Sequence, residues 1–542
     1  MHVSGGGLNR KVLALAIAAC LCPVASRGES RLTEEDVRTI LLQAASAAER
    51  LGLRAHIAVT DREGEILAAF AMSGAPAKSV ILADRDDPVA GGLEGTAFPA
   101  DLVAVTKAGT GAFLSTAGHA FSTRTASFII ERKFPPQLDF TPLGGPLFGV
   151  QFSSLPCSDV RNLPLGLSGD PGGIPLYKNG DVVGGLGVEG DGVYTAVRNP
   201  LEDPRFVDGR EEVVAVTGAV GFEAPAEIRA ERILVDGLRF PYVHAEAQPG
   251  PAIDVAGTFQ QVPREGGDSC FRRTTRGGSL LTESEVARIL GQALTQAGKT
   301  RAAIRRPLNQ EARVTIAVVD TDGTILGSVQ SEDAPRFGID IASQKARTAN
   351  FFSHENAGNE LRREALSMFL DGGVPLDGSI AYSTRAVGFL AQPLYPPGIA
   401  GSDHGPLSIA EGLWSPFNTG LQTQLILGAI GEILGRSLSV RDYLNARPMG
   451  PCETLERVLG PCTPIGRLQN GITIFPGGVP LYKGGRLAGA IGVSGDGVDQ
   501  DDLIAAAGSV GFEAPKEMRS DTLLFRGTRL PYVKFPRSPE LP

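Results

Sequence analysis

Two stretches of the chain open in the same way. Thr33 precedes Glu34, Glu35 and Asp36, and then Val37, Ile40, Leu41, Ala44 and Ala48 follow at helical spacing; Thr282 precedes Glu283, Ser284 and Glu285, and then Val286 and Leu290. A threonine hydroxyl satisfies free amides of a first turn and acids suit its positive end, so a helix is predicted to start at each place. After each helix the period shortens to two. Residues 56–60 and 65–71, parted by Asp61-Arg-Glu-Gly, predict a hairpin, and residues 314–319 and 324–329, parted by Asp320-Thr-Asp-Gly, predict another. Residues 104–116 and 341–352 read as a second helix in each half. Residues 174–178 and 182–188 alternate as two strands around Asn179 and Gly180, a pair suited to a type I′ turn, and Gly484 with Gly485 serves the same need later in the chain. Antiparallel strands with helices between them define an α+β class.

The similarity extends beyond pattern to residues. Residues 171–193 match residues 476–498 at 15 of 23 positions, and residues 220–243 match residues 510–533 at 14 of 24, in the same order. Such agreement establishes a duplication. The offset falls from 305 to 290 between the two blocks, so the first copy carries 15 extra residues around residues 198–210, where a surface loop absorbs them cheaply. Weaker echoes, such as Ser122-Thr-Arg124 with Ser383-Thr-Arg385, extend the match over each half. The expected organisation is a leader over residues 1–28, a first domain over 29–245, a linker over 246–278 and a second domain over 279–538. The join falls near residue 262, in a Gly/Pro/Thr/Arg-rich stretch that few contacts are expected to cross.

The repeated string Gly-Gly-Ile-Pro-Leu-Tyr-Lys at 172–178, running on to Val188, and its counterpart from Gly477 to Gly495, resemble the C-terminal signature of the GlcG/HbpS-like family. The opening helix is similar too, as are the segments led by Lys107 and Lys345, with Phe113 and Phe351. The resemblance implies two profilin-like domains, each an antiparallel five-stranded sheet flanked by helices, that assemble into homo-oligomers. It further implies non-covalent binding of haem or a related tetrapyrrole, alone or with a redox or sensor partner. Both copies are longer than a minimal family domain, with the surplus at residues 115–170 and 353–475.

Composition narrows the setting. A net charge of −9, without a dense Lys/Arg cluster, argues against a nucleic-acid partner. Arg10 and Lys11 lead an apolar run over residues 12–21 and then Cys22, Pro23, Val24, Ala25 and Ser26, the layout of a secretory signal and too short to span a bilayer. Export to the periplasm or beyond is expected. Ile17-Ala-Ala-Cys20 also fits lipoprotein processing, which would acylate Cys20, as an alternative to cleavage near Ala25. Cys157, Cys270, Cys452 and Cys462 remain. Cys452 and Cys462, flanking a short loop, are the expected disulfide, with Cys157–Cys270 as a second pairing. No Cys-x-x-Cys-His occurs, which excludes covalent c-type haem attachment.

A haem site of the implied kind needs an axial donor, an apolar slot and cations for the propionates. His119 is the candidate iron ligand of the first copy, with Phe121 and Phe128 to wall a ring, and His354 is the candidate of the second. His404 is a further ligand candidate, whereas His56 reads as structural. None of these histidines aligns between copies. Thr123 with Arg124 and Thr384 with Arg385 occupy matched positions and could grip a carboxylate, or else bond loop carbonyls. Lys107 and Lys345 could serve the same anionic role or lie on the helix surface.

Other chemistries are weaker. Ser122 lacks a Gly-x-Ser-x-Gly elbow, and the glycines of residues 184–190 lie in a strand without the turn that cradles phosphate. The acids from Asp496 to Asp502 lack calcium-loop spacing. The reading is an exported, non-catalytic binding protein for haem or a related tetrapyrrole. The alternatives are an oligomerisation or interaction module with no small-molecule site, or an uncharacterised enzyme.

Overall fold

The computed structural model of the protein describes residues 31–82, 91–132, 134, 144–196, 209–235, 237–261, 275–435, 440 and 460–541. The leader, Cys20, Cys270 and Cys452 lie outside the described residues.

Each half opens as its capping residues require. Helix α1 (Glu34–Arg50) starts at Thr33, whose hydroxyl accepts the Asp36 amide at 3.2 Å while the Asp36 carboxylate accepts the Thr33 amide at 2.7 Å. Its apolar stripe, Val37, Ile40, Leu41, Ala44 and Ala48, is buried on the sheet. Strands β1 (His56–Asp61) and β2 (Ile66–Met72) form the first hairpin, helix α2 (Ala100–Phe113) crosses the sheet, and α3 (Thr123–Ile129) follows. The Asn179–Gly180 turn, with φ of 56° and 86°, joins β3 (Gly173–Lys178) to β4 (Asp181–Glu189), as a type I′ turn demands. Helix α4 (Arg210–Gly218) then packs beside α1. Strand β5 (Gly257–Gln261) completes an antiparallel sheet of order β5-β2-β1-β4-β3. That strand comes from the stretch expected to be a linker. It pairs with β2 from Gly257 opposite Met72 to Gln261 opposite Ala68, and so covers an edge that would otherwise present unpaired amides.

The second half repeats this plan with α5 (Glu283–Ala297), β6 (Val314–Val319), β7 (Ile325–Gln330), α6 (Gly338–Phe352), α7 (Thr384–Leu390) and α8 (Leu421–Gly435). Then come β8 (Gly478–Lys483), β9 (Arg486–Gly495) and α9 (Val498–Gly508). Its sheet has four strands among the described residues, in the order β7-β6-β9-β8. Among the described residues, the fifth strand implied by resemblance is found only in the first half. Among the described residues no helix is long and apolar enough to cross a membrane.

The glycine-rich strands are a packing device. A Cβ at Gly187 would lie 2.0 Å from the Ala104 carbonyl oxygen, and one at Gly492 would lie 2.0 Å from that of Ala342. Helices α2 and α6 therefore rest directly on the sheet backbone. Their outer faces are covered as well, so that all of α6, and all of α2 except Asp101, is buried. The cover comes from the long insertions: the Ser168 amide donates to Thr110 Oγ1 at 2.8 Å, and the Thr473 amide donates to Thr348 Oγ1 at 2.9 Å.

The insertions also reach across to the other half. Residues 153–159 lie on α6, where the Ser154 amide donates to Asp340 Oδ2 at 2.7 Å and the Arg347 guanidinium grips both oxygens of Asp159 at 2.6 and 2.7 Å. One apolar cluster contains Phe113, Leu155 and Leu163 together with Phe337, Phe417 and Phe475. The halves thus share a core. The expectation of few crossing contacts fails because each insertion exposes apolar surface that only the other half can cover. The disulfide expectation is corrected for the same reason: Cys462 is bonded to Cys157, not Cys452, and Cys157 therefore does not pair with Cys270. Residues adjacent in sequence lost to residues brought together by the clasped insertions.

Candidate functional site

Lys107 and Lys345 are wholly buried, contrary to a helix-surface placement, because the insertions roof both helices. They occupy matched positions in unlike surroundings. The Lys107 ammonium lies 2.8 Å from Asp170 Oδ2, 2.7 Å from Glu189 Oε2 and 2.7 Å from Glu211 Oε2. Its hydrogen bond is to Glu211; the Asp170 and Glu189 oxygens are in ion-pair contact outside hydrogen-bond alignment. Burial opposes the ammonium charge, but the three carboxylates hold the Lys107 pKa well above the ordinary lysine value. Burial also raises the carboxyl pKa values of Asp170, Glu189 and Glu211; Asp191 pushes all three up further, Glu189 adds to Asp170 and Glu211, and Asp170 adds to Glu211. In the second copy the Lys345 ammonium meets one carboxylate, Asp501, at 2.8 Å, the Val493 carbonyl at 2.8 Å and the face of Phe475 at 5.1 Å. Burial lowers Lys345 and raises Asp501 to about 7. In the repeat alignment Phe475 stands where Asp170 stands and Ser494 where Glu189 stands, so two acids belong to the first copy alone.

The Ser-Thr-Arg segments play matching parts in the two halves. Ser122 caps α3 and donates to the Tyr242 carbonyl; Ser383 caps α7 and donates to the Tyr532 carbonyl. Thr123 Oγ1 accepts the Gly173 amide at 2.9 Å, and Thr384 Oγ1 accepts that of Gly478 at 2.8 Å. Arg124 holds Glu212 through Nε at 2.8 Å and Nη2 at 2.5 Å, while Arg385 holds Asp502 through Nε and Asp499 through Nη2 at 2.6 Å. The arginine does grip a carboxylate, but it is the protein's own. Glu212 and Asp502 are related by the 290-residue offset of the second matching block, and that register is the signal by which these partners could have been found.

The three candidate histidines are scattered. His119 is fully buried, its ring 4.9 Å from that of Phe121 and its Nδ1 3.1 Å from Thr116 Oγ1; burial, with Arg305 nearby, lowers its pKa to about 3. Phe121 and Phe128 pack on Phe240 rather than on an open slot. His354 is half-buried at the end of α6 and its Nδ1 accepts the Asn356 amide at 3.1 Å, which leaves the proton on Nε2. Burial and Arg467 lower its pKa. His404 is exposed in the second insertion, with Nδ1 2.9 Å from the Gly405 carbonyl. A carbonyl can only accept, so Nδ1 donates this bond and Nε2 faces away from it. The Arg526 guanidinium donates to the His404 carbonyl at 3.1 Å, and Ile399, a few residues before His404, is 55% exposed.

The fold and these repeated clamps define a duplicated α+β protein whose two domains are fused through their insertions. Residues 284–389 and 455–509 match the family described as haem degrading protein HbpS-like. The matched segments give the second half of the chain the pattern of that family. Solved structures similar to it include a PduOC:heme complex (17% identity, covering 36% of this chain and 98% of that one, TM-score 0.23). HbpS is similar at 20% identity, covering 37% and 99%, with a TM-score of 0.21. The Klebsiella pneumoniae protein ORFY is similar at 16% identity, covering 42% and 86%, with a TM-score of 0.20. No curated protein matches the chain.

Proposed function

We propose that the protein binds haem non-covalently on its second domain, with His404 Nε2 as the axial donor and Arg526 as a cation for a propionate. The family match over the second half supports the ligand class. The observation that carries the site is the 2.9 Å contact between His404 Nδ1 and the Gly405 carbonyl, since a ring oriented through Nδ1–H offers Nε2 to iron. The exposed Ile399 supplies apolar surface for a ring laid against the insertion. His354 would first have to surrender the bond from the Asn356 amide, at a cost of about 1 kcal/mol, and His119 is reached only by parting the two halves. The apolar run at residues 12–21 and the buried Cys157–Cys462 bond support a place outside the cytoplasm, where disulfides persist.

Titrating the mature protein with hemin tests the reading. A saturable Soret shift at about one equivalent is expected, lost in His404→Ala and kept in His354→Ala and His119→Ala. A featureless titration of the wild type would remove haem binding altogether. Loss in His354→Ala alone would move the donor to the end of α6. Following the bound Soret band after adding a reductant separates carriage, in which the band persists, from the degradation named in the family description.

A further inference from the structure

The cage around Lys107 sets three carboxyl groups against one ammonium inside the protein. Asp170 arrives from the loop before β3, Glu189 from the end of β4, Glu211 from the first turn of α4, and Lys107 from α2. Ser79, on a short strand over Lys78–Ile81, donates to Glu189 Oε1 at 2.7 Å, and the Gly190 and Asp191 amides donate to Glu211 Oε1 at 2.5 and 3.1 Å. The other titratable groups facing this cage are Asp191 in the turn after β4 and the Tyr194 phenol beyond it, with the Arg124–Glu212 pair on the next residue of α4. Lysine 107 can neutralise one carboxylate. Two further negative charges, out of water and within a few ångströms of each other, repel strongly, so the closed arrangement requires protons on the remaining acids. The second copy has no such conflict, because Lys345 faces Asp501, a carbonyl and a ring.

We propose that Asp170, Glu189, Glu211 and Lys107 form a proton-dependent latch confined to the first copy, closed while two of its carboxyl groups are protonated and released as they ionise. Glu211 is the member nearest solvent and sits on the first turn of α4, so it swings out first and takes with it the amide bonds that close residues 190–191. Burial raises all three carboxyl groups of this cage, in keeping with protons held in the closed form. The sign is fixed by linkage: groups whose folded pKa is raised stabilise the closed form at low pH and lose that contribution as pH rises through the folded value. The latch stands independently of the haem reading.

Hydrogen–deuterium exchange of the full, oxidised chain at pH 6 and pH 9, corrected for intrinsic exchange rates, tests it. Peptides covering residues 189–192 and 210–214 should lose about tenfold more protection at pH 9 than their counterparts at 494–497 and 500–504. Asp170→Asn with Glu189→Gln should abolish the difference, and so should Asp170→Phe with Glu189→Ser, which installs the second copy's residues. Equal behaviour of the two copies in the wild-type chain overturns the latch even if neither variant folds. Protection of the first-copy peptides at pH 9 by millimolar Mg²⁺ or Ca²⁺ overturns it in another way, since the acids would then be a cation site.

Discussion

Cys157 and Cys462 are bonded to each other across 305 residues of chain, one from each insertion, at the place where the first insertion lies on the second domain. The bond closes a loop that contains the C-terminal part of the first domain and most of the second, so reduction frees a very large denatured ensemble. Cys157→Ser or Cys462→Ser, or a reductant present during unfolding, should lower stability by about 2–5 kcal/mol. Denaturant titration in the presence and absence of reductant measures this. Peptide mapping under non-reducing conditions should recover the 157–462 pair, and a 452–462 pair in its place would contradict the clasp.

Arg124 and Arg385 make equivalent bonds at different depths. Arg124 is fully buried with Glu212, whereas the Arg385 side chain is 16% exposed. Removing one member of a buried pair strands the other charge, so Arg124→Ala should cost about 3–5 kcal/mol and Arg385→Ala less, about 1–3 kcal/mol. Chemical denaturation of the two variants checks the order. A folded, fully stable Arg124→Ala that had instead lost a bound carboxylate ligand would return this position to ligand binding.

Much of this fold was legible where the determinants are local. The Thr33 and Thr282 caps, the Asn179–Gly180 turn and the alternation of β1 and β2 each depend on a few neighbouring residues, and each formed as expected. The glycines of residues 184–189 do lie in a strand, as expected, and Gly187 there admits the Ala104 carbonyl. The site was harder to read because its contacts join segments that have no repeat partner. Nothing near Cys157 points to Cys462, and Asp170 and Glu189 become unusual only once Phe475 and Ser494 are seen in their places around Lys345. The Ser-Thr-Arg segments were visible as repeated but not as clamps, for their hydrogen-bond partners lie 50 to 149 residues away.

Asp340 provides a pH-dependent test of the same interface. It is buried, accepts the Ser154 amide at 2.7 Å, the Ser158 hydroxyl at 2.5 Å and the Asn470 amide group at 2.9 Å, and burial raises its pKa to about 6. A carboxyl group raised from its ordinary value of 3.8 stabilises the fold below that value and loses the contribution as pH climbs towards 6, about 3 kcal/mol in all. Stability measured between pH 4 and 6 should therefore fall less steeply in Asp340→Asn than in the wild type. The variant should also be weaker at pH 7 by about 1–3 kcal/mol, because one amide hydrogen now faces a donor. Parallel slopes would remove Asp340 as a titrating group.

Arg347 and Asp159 join the two domains more directly than any other ion pair described above. The guanidinium bonds both carboxylate oxygens, the Asn470 side chain at 2.7 Å and the Gly323 carbonyl at 2.9 Å, all away from solvent. Asp159→Ala leaves that guanidinium with two hydrogen-bond acceptors and no counter-charge, which should cost about 3–5 kcal/mol. Because the pair spans the domains, the loss falls on their association rather than on either sheet. Hydrogen exchange should accordingly quicken first in residues 150–168 and along α6, while the β1–β2 hairpin keeps its protection. Uniform loss across both sheets would mean that the halves unfold as one unit and that the insertions are no separate clasp.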